Sequence, residues 1–118
     1  MIPVVGNFAR GGKYITKGYQ SFRAFKRANG SAGVGKSWHH IVEQNPKNIK
    51  RYGPEMIHNE NNLVKIPSGK GSIHAKISGH YSSKPSFLNG MTVREWLSTQ
   101  SFEAQRAYGL QILKQFGY

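Results

Sequence analysis

Two adjacent histidines, His39 and His40, lie inside a β-prone apolar stretch, Trp38-His39-His40-Ile41-Val42-Glu43, which stops at Asn45-Pro46. Side chains alternate across a strand, so the two rings leave on opposite faces and divide the work, one holding a metal while the other activates water. Downstream, Asn61-Asn62 directly precedes a second short strand, Leu63-Val64-Lys65-Ile66-Pro67, and His74 stands near the start of residues 73–78, read as one or two helical turns. Breaking a phosphodiester needs a base near neutral pH, a cation or proton donor for the charged transition state, and a group that orients the base. Imidazole suits the first two roles and a carboxamide the third.

Composition narrows the chemistry. The 118 residues include 17 Lys and Arg against 5 acidic residues, a formal charge of +12, and every acidic residue is a glutamate. With no Asp and no Cys, a Cys-based zinc site, a disulfide, a thiol nucleophile and an Asp-completed serine triad are all excluded. The length suits one domain with a modest core and excludes a two-domain cofactor enzyme. The charge favours a polyanionic partner, nucleic acid first, with an anionic membrane or an acidic protein as the other readings. Hydrophobic residues make up 37% of the chain, enough to fold a globular domain, and no apolar run reaches the roughly 18 residues that span a bilayer. The chain reads as soluble, without stable membrane insertion, and as a piece of something larger.

The elements that must position these groups follow from patterning. Residues 1–37 carry seven basic residues and no acidic one. Ile15, Tyr19, Phe22 and Phe25 at helical spacing predict a basic amphipathic helix over residues 13–28, weakened by Gly18. Residues 47–62 read as an irregular basic loop. Thr92-Val93-Arg94-Glu95 is a capping box, and Ser101 caps a second stretch whose Phe102, Leu110, Leu113 and Phe116 mark a buried face. The expected organisation is a basic linker or N-terminal helix over 1–30, followed by a catalytic domain over 31–118.

Gly30-Ser31-Ala32-Gly33-Val34-Gly35-Lys36-Ser37 matches the phosphate-loop pattern at every fixed position. Such a loop needs a strand before it and a helix after it. Here a helix-like basic segment precedes and a β-prone one follows, and no Asp exists to hold magnesium, so the reading is a flexible turn.

The order His-His, Asn before a strand, then His opening a helix is that of a ββα-metal, or HNH, nuclease finger. The stretches WHHIVEQ, GPEMIHNENNLVKIP, IHAKISGHYSSK and GMTVREWLSTQSFEAQRAYGLQIL together resemble the C-terminal toxin domains of bacterial polymorphic toxins. These include contact-dependent growth inhibition proteins, Rhs proteins and wall-associated protein A. The resemblance covers roughly residues 36–116, and residues 2–18 look like the connection to a delivery region, with Met1 as an added start.

The resemblance implies an α+β fold, a small HNH-like core with an N-terminal basic helix and C-terminal helices. It implies an antibacterial nuclease, carried on a larger secreted or cell-surface toxin, that acts in the target-cell cytoplasm and is neutralised by a cognate immunity protein, expected to be acidic. Carried over residue by residue, His40 matches the general base, His39 the metal-facing histidine, Asn62 the base-orienting asparagine and His74 the downstream histidine. Glu43 falls in the same matched word as a partner for an imidazole. Lys36, Lys47, Lys50, Arg51, Lys65 and Lys76 would track the phosphate backbone.

One departure bears on metal use. Ser78 stands where such fingers often carry a second helical histidine, and His80 lies off that face. A divalent cation, Mg or Zn held by His39 and His74, therefore belongs only to a metal-dependent reaction. A metal-free ribonuclease would use two histidines as base and acid, with Lys65 or Lys76 stabilising charge, and RNA, especially tRNA, is favoured over DNA. His58 and His80 are read as surface or hydrogen-bonding histidines. The alternatives are an HNH-type DNase, a non-catalytic nucleic-acid-binding module and, least, a membrane-acting domain.

Overall fold

The computed structural model describes residues 16–118. It is α+β, with six α-helices and one two-stranded antiparallel sheet among the described residues. The chain groups into two compact units, one formed by residues 16–31 and 38–64, the other by Ala32–Ser37 and Lys65–Tyr118.

In the first unit, helix α1 spans Phe22–Asn29, with extended Ser21 accepting the Ala24 N–H on its hydroxyl and Gly30 closing it at φ +83°. The basic helix expected over 13–28 is thus shorter, and Ile15 lies outside the described residues. The reason is Gly18, which forms a β-bridge with Asn59 and runs so close to the Glu55 carbonyl that a Cβ there would collide with it. Only a glycine allows that approach. Phe25 is the buried residue of α1, meeting Tyr19 and Trp38 edge-on at 5.6 and 4.9 Å.

Strand β1 covers Lys36–His40 and strand β2 covers Leu63–Pro67. Ile41 N–H donates to Asn62 O at one end of the ladder and Ser68 N–H to Gly35 O at the other, an equal spacing on both strands that leaves no bulge. Ile41 and Val42 are core but lie just past the strand. The stretch expected as a loop over 47–62 is instead helix α2, Pro46–Tyr52, helix α3, Pro54–Ile57, and a 3₁₀ turn, Glu60–Asn62. Asn45 caps α2 on the Asn48 N–H, and a proline begins each helix where its missing N–H costs nothing. These elements are too short to show a period in the sequence.

In the second unit, helix α4 runs Ile73–Ser82, longer than the expected turns, and is followed by a 3₁₀ turn at Ser86–Leu88. Helix α5, Val93–Leu97, starts on the expected capping box, with the Thr92 hydroxyl accepting the Glu95 N–H and the Glu95 carboxylate accepting the Thr92 N–H. Helix α6, Phe102–Gln115, starts at Ser101 as expected. Ile77, Tyr81, Leu97, Phe102 and Leu113 form the core of this unit, whereas Leu110, expected on the buried face, is exposed.

The phosphate-loop look-alike lies between α1 and β1, the reverse of the order an NTP loop needs. Its Gly30, Gly33 and Gly35 take positive φ, as a turn requires.

Candidate functional site

His40 ends β1 and is buried, as is His39 before it. Its partner is a histidine from a different element. His40 Nε2 lies 3.1 Å from Nδ1 of His58, which closes α3 and is also buried. One ring donates and the other accepts, so the pair holds one proton between two nitrogens. The sequence suggests a surface or hydrogen-bonding role for His58; the hydrogen bond is there and the surface position is not. Nothing local in Ile57-His58-Asn59 marks the residue, because its partner lies 18 positions away.

Asn62 sets the distance between the two imidazole-bearing segments. Its Oδ1 accepts the Val42 N–H at 2.8 Å, and its Nδ2 donates to the carbonyls of Val42 and Ile57 at 2.9 Å each. Val42 is two residues past His40 and Ile57 is one before His58. The carboxamide is committed to backbone, so any orientation it gives to His40 acts through the strand end rather than through a bond to the ring. Two more asparagines, Asn48 and Asn59, are as fully buried. Asn48 Nδ2 donates to Glu43 O. Asn59 Oδ1 accepts from the Thr16 hydroxyl and the Asn61 N–H, tying residues preceding α1 to this loop.

Helix α1 contributes the lid of the pair. The Phe22 ring meets His40 edge-on at 4.8 Å and lies parallel to His58 at 6.2 Å. The Lys26 ammonium sits 4.4 Å from the Phe22 ring centroid, a cation–π contact that places positive charge beside the aromatic face of the site. Sequence reasoning alone misses Phe22 and Lys26 as site residues, although the one-turn spacing between them is visible.

Burial pushes the His40 pKa down to about 3, with His58 and then His39 adding to the effect. Burial also lowers His58. Both rings are therefore neutral at pH 7.

Glu43 is half-buried just after β1. His74 lies half-buried in the first turn of α4, in the second unit. Lys47, Lys50 and Arg51 are exposed on α2 in the first unit, and Lys36, Lys65 and Lys76 are exposed in the second. Among the described residues, no group of three or more His, Cys, Asp or Glu side chains is placed to hold a metal ion. His39 belongs to the first unit and His74 to the second. No described helix is long and apolar enough to cross a membrane. No family model matches the chain, and neither a curated protein nor a solved structure matches it.

Proposed function

We propose that this chain is a nuclease domain acting on RNA, with tRNA the favoured substrate, and that it serves as the toxic end of a larger bacterial toxin neutralised by an acidic immunity protein. The observation that carries the reading is the buried His40–His58 hydrogen bond at 3.1 Å in a chain of charge +12. In the proposed reaction His40 takes the proton of the 2′-hydroxyl as its oxygen bonds to phosphorus, the bond from phosphorus to the 5′-oxygen breaks to leave a 2′,3′-cyclic phosphate, solvent water protonates the departing 5′-oxygen, and the bond to His58 spreads the charge that His40 acquires over two rings. The approaching phosphodiester anion raises the affinity of the imidazole pair for that proton, offsetting the depression caused by burial. Lysines supply charge to the transition state. The order β1, β2, α4 is compatible with an HNH-like finger, which would add DNA as a substrate if a metal were recruited.

The test is incubation of the protein with total RNA and with plasmid DNA, with and without chelator, beside His40→Ala and His58→Gln. Chelator-resistant cleavage of discrete tRNAs, lost in His40→Ala and lowered about 10²-fold or more in His58→Gln, is expected. Cleavage by His40→Ala at the parent's rate would sink the assignment. A second reading has its own support: with both imidazoles neutral at pH 7, neither is a ready proton donor, as in a non-catalytic binding module. That reading predicts RNA binding with no His40-dependent cleavage.

A further inference from the structure

The second unit carries a ring cluster that the proposed cleavage does not use. On α4 and α6, His80 Nε2 and the Tyr108 hydroxyl lie 2.6 Å apart, and the two rings are near-parallel, 21° apart in plane with centroids 5.9 Å apart. Trp96 of α5 meets Tyr108 edge-on at 5.9 Å, and Phe116 meets His80 at 6.2 Å. Tyr81, which also meets His80, is buried, but His80, Trp96, Tyr108 and Phe116 each keep part of their surface in solvent.

His80 and Tyr108 both meet the buried Tyr81 ring, at 5.8 and 6.2 Å, so the cluster is seated on the core while its outer part stays in solvent. The unit that carries them is basic. Residues 65–118 hold seven Lys and Arg against two glutamates, and the Arg94 guanidinium lies 6.0 Å over the Tyr81 ring while donating to the Ser82 hydroxyl. Partly exposed rings among cations are what unpaired bases stack on while the phosphates follow the positive charge. An acidic protein would need the charge and not the rings; a duplex would keep its base faces hidden.

We infer that the His80–Tyr108–Trp96 face is a stacking platform for single-stranded nucleic acid. The inference rests on the nucleic-acid reading above and is independent of cleavage.

The test measures anisotropy of labelled oligo(dT) of about 12 nucleotides and of an abasic strand of equal length. Oligo(dT) is expected to bind more tightly than the abasic strand. Tyr108→Leu and Trp96→Leu should each weaken oligo(dT) by about fivefold or more and leave the abasic strand unchanged, while Tyr108→Phe keeps the ring and the affinity. Equal affinity for the two strands, or leucine variants that bind oligo(dT) as the parent does, would overturn the platform. Should the leucine variants not fold, Trp38→Phe leaves Trp96 as the sole tryptophan. Its fluorescence should be quenched by oligo(dT) and not by the abasic strand, and equal quenching by both counts against the proposal. Base-dependent binding in a protein that cuts no RNA would remove the nuclease reading and leave the platform standing; cleavage with base-independent binding would do the reverse.

Discussion

His40 is held neutral by its surroundings, and that has a stability consequence whatever its chemistry. In the unfolded chain it titrates at its ordinary 6.5, and in the fold at about 3. Between those values the unfolded state binds the extra proton, so stability is complete above pH 6.5 and is lost as pH falls toward 3. The slope in that window is about 1.4 kcal/mol per pH unit for one such group, and lowered His58 acts in the same direction. Urea midpoints measured at successively lower pH, from just above neutrality into the mildly acidic range, should fall accordingly, and His40→Gln should flatten the trend. An unchanged slope in that variant would mean that His40 is solvated. The role of Asn62 is also decided at this scale. Asn62→Ala removes three hydrogen bonds and strands the Val42 amide and two buried carbonyls, a loss of about 2–4 kcal/mol that denaturant melts would register. Any loss of cleavage should accompany a weakened His40–His58 bond, visible in imidazole proton resonances.

At the scale of elements, what is legible in the sequence depends on how local the determining interaction is. The Thr92–Glu95 box, the Ser101 cap and strand β2 are written within a few residues, and the structure has each where the sequence implies it. The helices of residues 46–57 span only seven and four residues. Their starts depend on Asn45, Pro46 and Pro54, and no amphipathic period has room to develop. The N-terminal helix is shorter than its pattern implies because an apolar stripe at helical spacing continues through Tyr19, while Gly18 and Thr16 are claimed by the distant Glu55 and Asn59. That local and tertiary conflict cannot be seen along the chain. For the same reason the candidate site is legible in part: His40 and Asn62 stand out, but His58 and Phe22 join them through pairings far apart in sequence. Shortening the Phe22 side chain tests the element's contribution. Phe22→Ala should leave α1 helical, since Ser21 and Gly30 still bound it, while exposing His58 and moving the proton exchange of its ring in NMR spectra; unaltered His58 resonances would remove α1 from the site.

For the molecule as a whole, charge governs encounter. If the six exposed cations Lys36, Lys47, Lys50, Arg51, Lys65 and Lys76 each meet a phosphate, a log–log plot of affinity for single-stranded RNA against salt has a slope of about −4; a slope near zero would deny them that role. If the chain is the toxin domain proposed above, the same field should speed its capture by an acidic immunity protein. The division into units has a separate outcome, one of timing. Residues 16–31 and 38–64 build the first unit and Ala32–Ser37 with Lys65–Tyr118 the second, so the polypeptide passes between them three times. No single cut yields an autonomous half. A chain that emerges from its amino end, from a ribosome or through a translocation pore, presents His40 early, yet the His40–His58 pair and the Asn62 carboxamide that bridges Val42 and Ile57 are complete only once residue 62 has followed. The imidazole pair is thus silent in every shorter emerging fragment, and a harmful activity housed there would switch on only after more than half of the chain had passed through.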